Sequence, residues 1–430
     1  MRLRGGTRRR LDTWALAAGS AMSGLLAYVF FALVTRTLGP VLAAPVSVLW
    51  TYWSFAAAAV TFPVQHWIAR SVAAHRGEGA VRRALPAVIA ASVVLSAVTF
   101  GVAWAIRGPL FNRTTIWFPA ILSLVTLGSG LVGVVRGGLT ARLRFYSLGA
   151  ELTAENALRC ATAFALVAAG VRSPVAFGLC LAVGPLVALS WPSTLRYAAG
   201  PRGTAGDSPL TFLGGAAGGQ LIGQSVLTGG PVVLALAGGG PADVTALFTA
   251  LALFRSPYTL MLGLVSQLTG RLTRLVVEGR QEVLQRLRLA LLAGTVLTVG
   301  AATAIGGTVG PRLLQLVFGH QVELSRLLTM VVGIGSALAL ANLIMTVALL
   351  AHNRGFAVTR VWLAALAAGG AVFVAGWAVS APALDRTCLA FLAAELVGLA
   401  AAVVEERRAG VRADPSRSGS PSLPSPGRPG

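Results

Sequence analysis

The sequence predicts an all-α integral membrane protein: twelve transmembrane helices in two six-helix lobes, with both termini in the cytoplasm. Three observations predict it, namely the composition, twelve long apolar stretches and the placement of the arginines. The 430 residues are 55% hydrophobic and 11% charged, with a mean hydropathy of +0.76. That balance is too apolar and too poor in charge for a soluble globule. The net charge of +21 would suggest nucleic acid in a soluble protein. Here most of it lies on short segments beside apolar stretches, where it orients a chain against an anionic leaflet. Membrane lipid is the expected partner and nucleic acid is not. The basic residues are thirty-five arginines and no lysine, in a chain rich in Ala and Gly. This is the composition of a GC-rich bacterial genome, so the bacterial cytoplasmic membrane is the expected location.

A span needs about 20 apolar residues. Stretches of that kind run over 14–35, 41–66, 84–106, 115–135, 150–171, 174–195, 210–237, 243–268, 287–309, 324–350, 361–381 and 387–404. None alternates like a barrel strand, so each is read as a helix. The first follows a basic stretch, residues 1–13, and is too long for a signal peptide. Ala43-Ala44-Pro45 is a poor cleavage site, so the stretch is read as an uncleaved span. Residues 14–208 form the first lobe and 209–408 the second. The Pro/Ser/Gly-rich tail, 409–430, is expected to be disordered.

Twenty-six arginines fall on alternate connecting segments, among them Arg136, Arg142 and Arg144 between spans 4 and 5. Seven fall on the segments between, including Arg36, Arg312 and Arg386. The richer side is cytoplasmic by the positive-inside rule, and both termini lie on it. Two arginines, Arg159 and Arg255, fall inside apolar stretches, where a charge is costly.

The halves echo each other. Gly39-Pro40 recurs as Gly240-Pro241, Arg70 as Arg271, and Gly108-Pro109 as Gly310-Pro311, at offsets of 201, 201 and 202. Both halves begin on the same side, so the repeat is parallel.

No catalytic signature is present. There is no Walker A run, and the four histidines have neither a nucleophile nor ligand spacing around them. No enzyme activity, metal or cofactor is expected, and transport is the default. The three cysteines, Cys160, Cys180 and Cys388, read as free thiols packed in spans.

Candidate site residues lie in five spans. Glu151, Glu155 and Arg159 share one face of span 5, with Asn156 beside them, and Glu155 precedes Arg159 at the favourable i,i+4 spacing. The pair either neutralises itself for insertion or lines a central cavity. Arg255-Ser256-Pro257 in span 8 sets an arginine with no acid at i±3 or i±4 beside a helix kink. It is the best candidate for anion binding; the alternative is a cross-helix pair with Glu395 of span 12 or with Glu155. Glu395 is a counter-ion for Arg255 or a proton or cation site, and Glu155 is the other candidate for ion coupling. Gln220 and Gln224 of span 7 are candidate cavity residues beside a stripe of Gly215, Gly219 and Gly223, read mainly as close packing. Trp50 and Trp53 share a face of span 2, turned either to lipid or to a sugar or isoprenoid chain. Asp243 reads as a helix N-cap.

These features resemble the polysaccharide-type (Wzx-like) flippases of the multidrug/oligosaccharidyl-lipid/polysaccharide exporter superfamily. The resemblance rests on TRTLGPVLAAPVSVLWTYWSF (Thr35 to Phe55) and VRGGLTARLRFYSLGAELTAENALR (Val135 to Arg159), with Arg136-Gly137, Arg144-Phe145, Glu151 and Arg159 in the order such exporters show. It covers the chain from span 1 to span 12. Val41-Leu42-Ala43 depart from the small, acidic and aromatic residues usual after Leu-Gly-Pro. The resemblance implies two lobes rocking about a cavity whose arginines attract the pyrophosphate of an undecaprenyl-linked glycan. It also implies a glycan polymerase or glycosyltransferases as partners. Two other classes stay open: a cation-coupled antiporter for small molecules, and a non-transporting scaffold for envelope assembly.

Overall fold

The computed structural model describes residues 3–75, 78–198, 221–262, 281–351 and 354–412, with 272, 275 and 278 between them. Every regular element among the described residues is helical.

Helix α1, Leu3–Ala56, is two spans joined at Gly39, where φ of 72° and ψ of 168° interrupt the helix. The chain doubles back there. The Trp50 ring lies 5.4 Å from Phe30 and 5.3 Å from Phe31, on the opposite arm of the turn. That backbone region belongs almost wholly to glycine, and Pro40 presets φ for the returning arm. The arm widens into a π-turn, Ala57–Thr61, and continues as α2, Phe62–His75. In a regular helix the Pro63 ring would press on the carbonyl of Ala59, which gives the wide turn its cause.

The rest of the first half is α3 (Gly79–Ala105), α4 (Arg107–Phe111), α5 (Trp117–Ala141), α6 (Phe145–Ala168) and α7 (Pro174–Val183). Beyond α7 the chain tightens into 3-10 turns at Gly184–Ser190 and Pro192–Leu195. The second half holds α8 (221–228), α9 (Gly230–Leu236), α10 (Pro241–Phe254), α11 (Ser256–Leu262) and α12 (Gln281–Thr308). It ends with α13 (Gly310–Phe318), α14 (Arg326–Ala351), α15 (Gly355–Ala378) and α16 (Ala383–Arg412).

Seven of the described helical stretches are long and apolar enough to cross a membrane. The difference from twelve has physical causes. The first two spans run together through Gly39, and α6 carries Glu151, Glu155 and Arg159 in its middle. The sixth stretch leaves the α-helix at Gly184 for 3-10 turns, the eighth is split at Arg255 into α10 and α11, and the seventh is described only from residue 221. Gly215 and Gly219 lie outside the described residues. Gly223, the remaining member of that stripe, lies against the Trp362 indole of α15.

Packing depends on close backbone approach at two glycines the sequence reading passed over. A Cβ on Gly19 would meet the Gly149 carbonyl oxygen at 2.5 Å, and one on Gly149 would meet that of Ala15 at 2.6 Å. These paired glycines seat α1 on α6. Gly108-Pro109 and Gly310-Pro311 both lie in short helices, α4 and α13. The other Gly-Pro turn is less alike: the positive φ of the second half falls at Gly238, and Gly240 is extended. Asp243 is not an N-cap, since Gly240 holds that position; the carboxylate lies in the first turn, where it complements the helix dipole.

The halves meet at the end of the molecule marked by these turns. One core cluster runs through both, with the Phe31 and Phe248 rings 4.1 Å apart. Thr245 Oγ1 donates to the Pro40 carbonyl at 2.6 Å. Arg36 donates from Nε to the Val317 carbonyl at 3.0 Å and from Nη2 to that of Leu316, capping the C-terminus of α13. All three cysteines are buried and free.

Candidate functional site

A chamber of about 530 Å³ lies between the halves, walled by both arms of α1 with α2, α5, α6, α8, α9, α10 and α11. Its charged and amide groups among the described residues are Gln65, Arg136, Glu155 and Asn156 from the first half and Gln224 and Arg255 from the second. Hydroxyls of Ser, Thr and Tyr, Tyr28 and Tyr258 among them, supply the remaining polar groups. Gln220 lies outside the described residues.

In and behind the first-half wall lies a buried network of four charges, of which Arg136 and Glu155 line the chamber. Arg136 donates from Nε to Glu151 Oε2 at 2.7 Å and from Nη2 to Glu155 Oε2 at 2.5 Å. Arg159 donates to the other Glu155 oxygen and to Asn156 Oδ1, the latter at 2.7 Å. Asn156 in turn donates to Ser23 Oγ at 2.8 Å and the Ser23 carbonyl at 3.1 Å, tying α6 to α1. Two guanidinium groups thus face two carboxylates. Buried ions survive only when matched and hydrogen-bonded in this way.

Arg136 corrects the sequence reading, which set it on a cytoplasmic segment. Helix α5 runs on to Ala141, so Arg136 is the third arginine inside the bundle, 6% exposed. Its place in the flippase-like motif was the one signal that could have found it. A second correction concerns Arg159. It is fully buried and is not a chamber-wall residue: Glu155, Asn156 and the Trp53 ring, 4.7 Å from its guanidinium carbon, cover it. The tryptophans face inward. Trp50 and Trp53 both line the chamber, while Tyr52 points away and bonds Thr99 and Thr126.

The second-half wall is built on the predicted kink. Pro257 has no N–H for the carbonyl of Leu253, and Ser256 Oγ supplies the missing donor at 2.8 Å. Arg255 sits at the break between α10 and α11. Tyr28 Oη reaches across from α1 to the Ala252 carbonyl at 2.5 Å. Arg255 is 7% exposed and makes no ion pair among the described residues; its Nε and Nη2 are buried without acceptors. Phe391 lies 5.2 Å from its guanidinium carbon. No bridge joins it to Glu395 or Glu155. Glu395 lies outside the chamber wall, fully buried, with Oε2 accepting from Asn342 Nδ2 at 2.7 Å and Oε1 unbonded. Gln224 donates to Thr228 Oγ1 at 3.1 Å on its own helix.

A helical chain of this hydropathy, closed around an internal chamber, is a multi-pass membrane protein. The particular fold is shared with transporters of the MOP superfamily. An inward-facing multidrug resistance MATE family transporter superposes with a TM-score of 0.67 at 15% identity, covering 95% of this chain and 100% of that one. The lipid II flippase MurJ, in an inward closed conformation, gives 0.69 at 12% identity over 93% and 89%. A MOP superfamily transporter from Pyrococcus furiosus gives 0.61 at 14% identity over 94% and 95%. No protein-family model matches the sequence, and no curated protein matches it.

Proposed function

We propose that the chain is a twelve-span transporter of the bacterial cytoplasmic membrane with lobes at 14–208 and 209–408 and cytoplasmic termini. It moves an anionic lipid-linked glycan, an undecaprenyl-pyrophosphate oligosaccharide or polysaccharide precursor, to the outer leaflet by alternating access. The charge balance of the chamber carries this reading. Arg136 and Arg159 are ion-paired with Glu151 and Glu155, whereas Arg255 forms no ion pair among the described residues and has Glu395 only as a counter-charge that does not bond it. A guanidinium with free N–H groups suits a diphosphate, to which it bonds in a bidentate fashion. Asn156, Gln224 and Gln220 contribute hydrogen bonds to the glycan, Trp50 and Trp53 offer ring faces to its sugars, and the lipid tail stays in the bilayer. Glu155 and Arg159 hold the opposite wall neutral. Glycosyltransferases and a glycan polymerase are the partners this substrate requires.

The test is translocation of lipid-linked glycan in cells lacking the gene, complemented by variants. Arg255→Ala is expected to leave the glycan on the cytoplasmic side, while Arg255→Lys restores part of the transport. Unchanged translocation by Arg255→Ala overturns the assignment. A second reading, a cation-coupled antiporter, draws on the equal fold likeness to MATE transporters and on the unbonded Oε1 of Glu395. Drug efflux that depends on a cation gradient and is lost in Glu395→Gln distinguishes it.

A further inference from the structure

A second concavity of about 360 Å³ lies on the outer surface of the bundle, lined by Leu236 and Ala237 at the end of α9, by Phe373, Val374 and Trp377 of α15, and by Arg386 of α16. It shares no lining residue with the central chamber. Its walls are open to the surroundings: Trp377 is 67% exposed, Val374 60% and Leu236 46%. In a membrane these side chains meet lipid.

Arg386 closes one end of the groove. Its Nη2 donates to the Ala237 carbonyl at 3.1 Å, which satisfies the free end of α9. The Phe373 ring lies 4.9 Å from its guanidinium carbon and fixes the plane of the group. Nε is buried without an acceptor, and no carboxylate among the described residues bridges it. The groove therefore joins a long apolar wall to one positioned, uncompensated cation beside the turn at Gly238.

We propose that this groove binds one anionic phospholipid of the leaflet opposite the termini, its phosphate on Arg386 and one acyl chain along Leu236, Val374 and Trp377. The occupant follows from charge and shape: a guanidinium pairs with a phosphodiester, and the apolar wall takes a chain. The site does not depend on what the central chamber carries. A lipid held there bridges α9 of the chamber wall and α15, two helices of the second half.

Native mass spectrometry of the full-length protein, titrated with phosphatidylglycerol in detergent, tests this. The expected result is one tightly retained lipid, with affinity falling about tenfold in Arg386→Gln. Val374→Trp fills the groove without removing the guanidinium and is expected to lose the same lipid, so a folding defect of the first variant does not decide the matter. Equal retention by the wild type and Val374→Trp overturns the proposal. So does full displacement of the lipid by inorganic phosphate, which would make the site a free-anion site.

Discussion

Glu155 is shared by two arginines on different helices: Arg136 of α5 bonds one carboxylate oxygen at 2.5 Å and Arg159 of α6 bonds the other. The arrangement makes Glu155, the one acid that lines the chamber among the described residues, unavailable as a free charge. It also couples the wall to the packing of α5 on α6, so a change in one ion is felt by three others.

Removing Arg136 strands Glu151 in the bundle and leaves Glu155 with Arg159 alone. Arg136→Ala is expected to destabilise by about 3–5 kcal/mol, the cost of an unpaired buried charge. Thermal unfolding of the detergent-purified protein reads it. The double variant Arg136→Met with Glu151→Gln should recover much of the loss, and failure to recover would show that the two do not form a unit.

Gly39 has the φ of 72° and ψ of 168° that reverse α1, and the Gln321 side chain lies 2.7 Å from where a Cβ would stand. Gly39→Ala is expected to cost about 1–3 kcal/mol from backbone strain alone. A lower unfolding midpoint for Gly39→Ala, with no such drop for Gly24→Ala, checks this; Gly24 has open space around it.

Gly19→Ala presses a methyl onto the Gly149 backbone, which cannot rotate away as a side chain could. The expected loss is about 1–3 kcal/mol through overpacking. A double variant with Gly149→Ala should be worse than either alone, as measured by the fraction that elutes as a single species.

Glu78, between α2 and α3, accepts from Arg142 Nε at 2.9 Å and from the Ala198 N–H at 2.8 Å. Its hydrogen bond from Arg142 holds the carboxyl below its ordinary value of 4.5. A lowered folded-state pKa gives stability that is present above the unfolded value and lost as pH falls through the folded one. The wild-type unfolding midpoint should therefore fall more steeply than that of Glu78→Gln below about pH 4.5. Parallel curves for the two proteins would show that the pair does nothing for stability.

The sequence carried what repeats along one helix and missed what crosses between helices. Glu155 and Arg159 were legible because i,i+4 spacing puts them on one face, and they do pair. Arg255 was legible because its own helix offers no acid at i±3 or i±4. Arg136 was not, because its partners lie 15 and 19 residues away on another helix and its own apolar stretch ends beside it. The Asn342–Glu395 bond, across 53 residues, left no periodic trace either. Trp50 and Trp53 could be placed on one face, but only packing decides which face looks inward.

The seam between the halves has a consequence for how it opens. The hydrogen bonds described across it run from the side chains of Tyr28, Arg36 and Thr245 to main-chain carbonyls, and the ion pairs described each lie within one half. Water can replace a carbonyl's donor with little penalty, whereas parting two buried ions is costly. Separation of the halves would part none of these ion pairs, so they would give its rate no dependence on ionic strength.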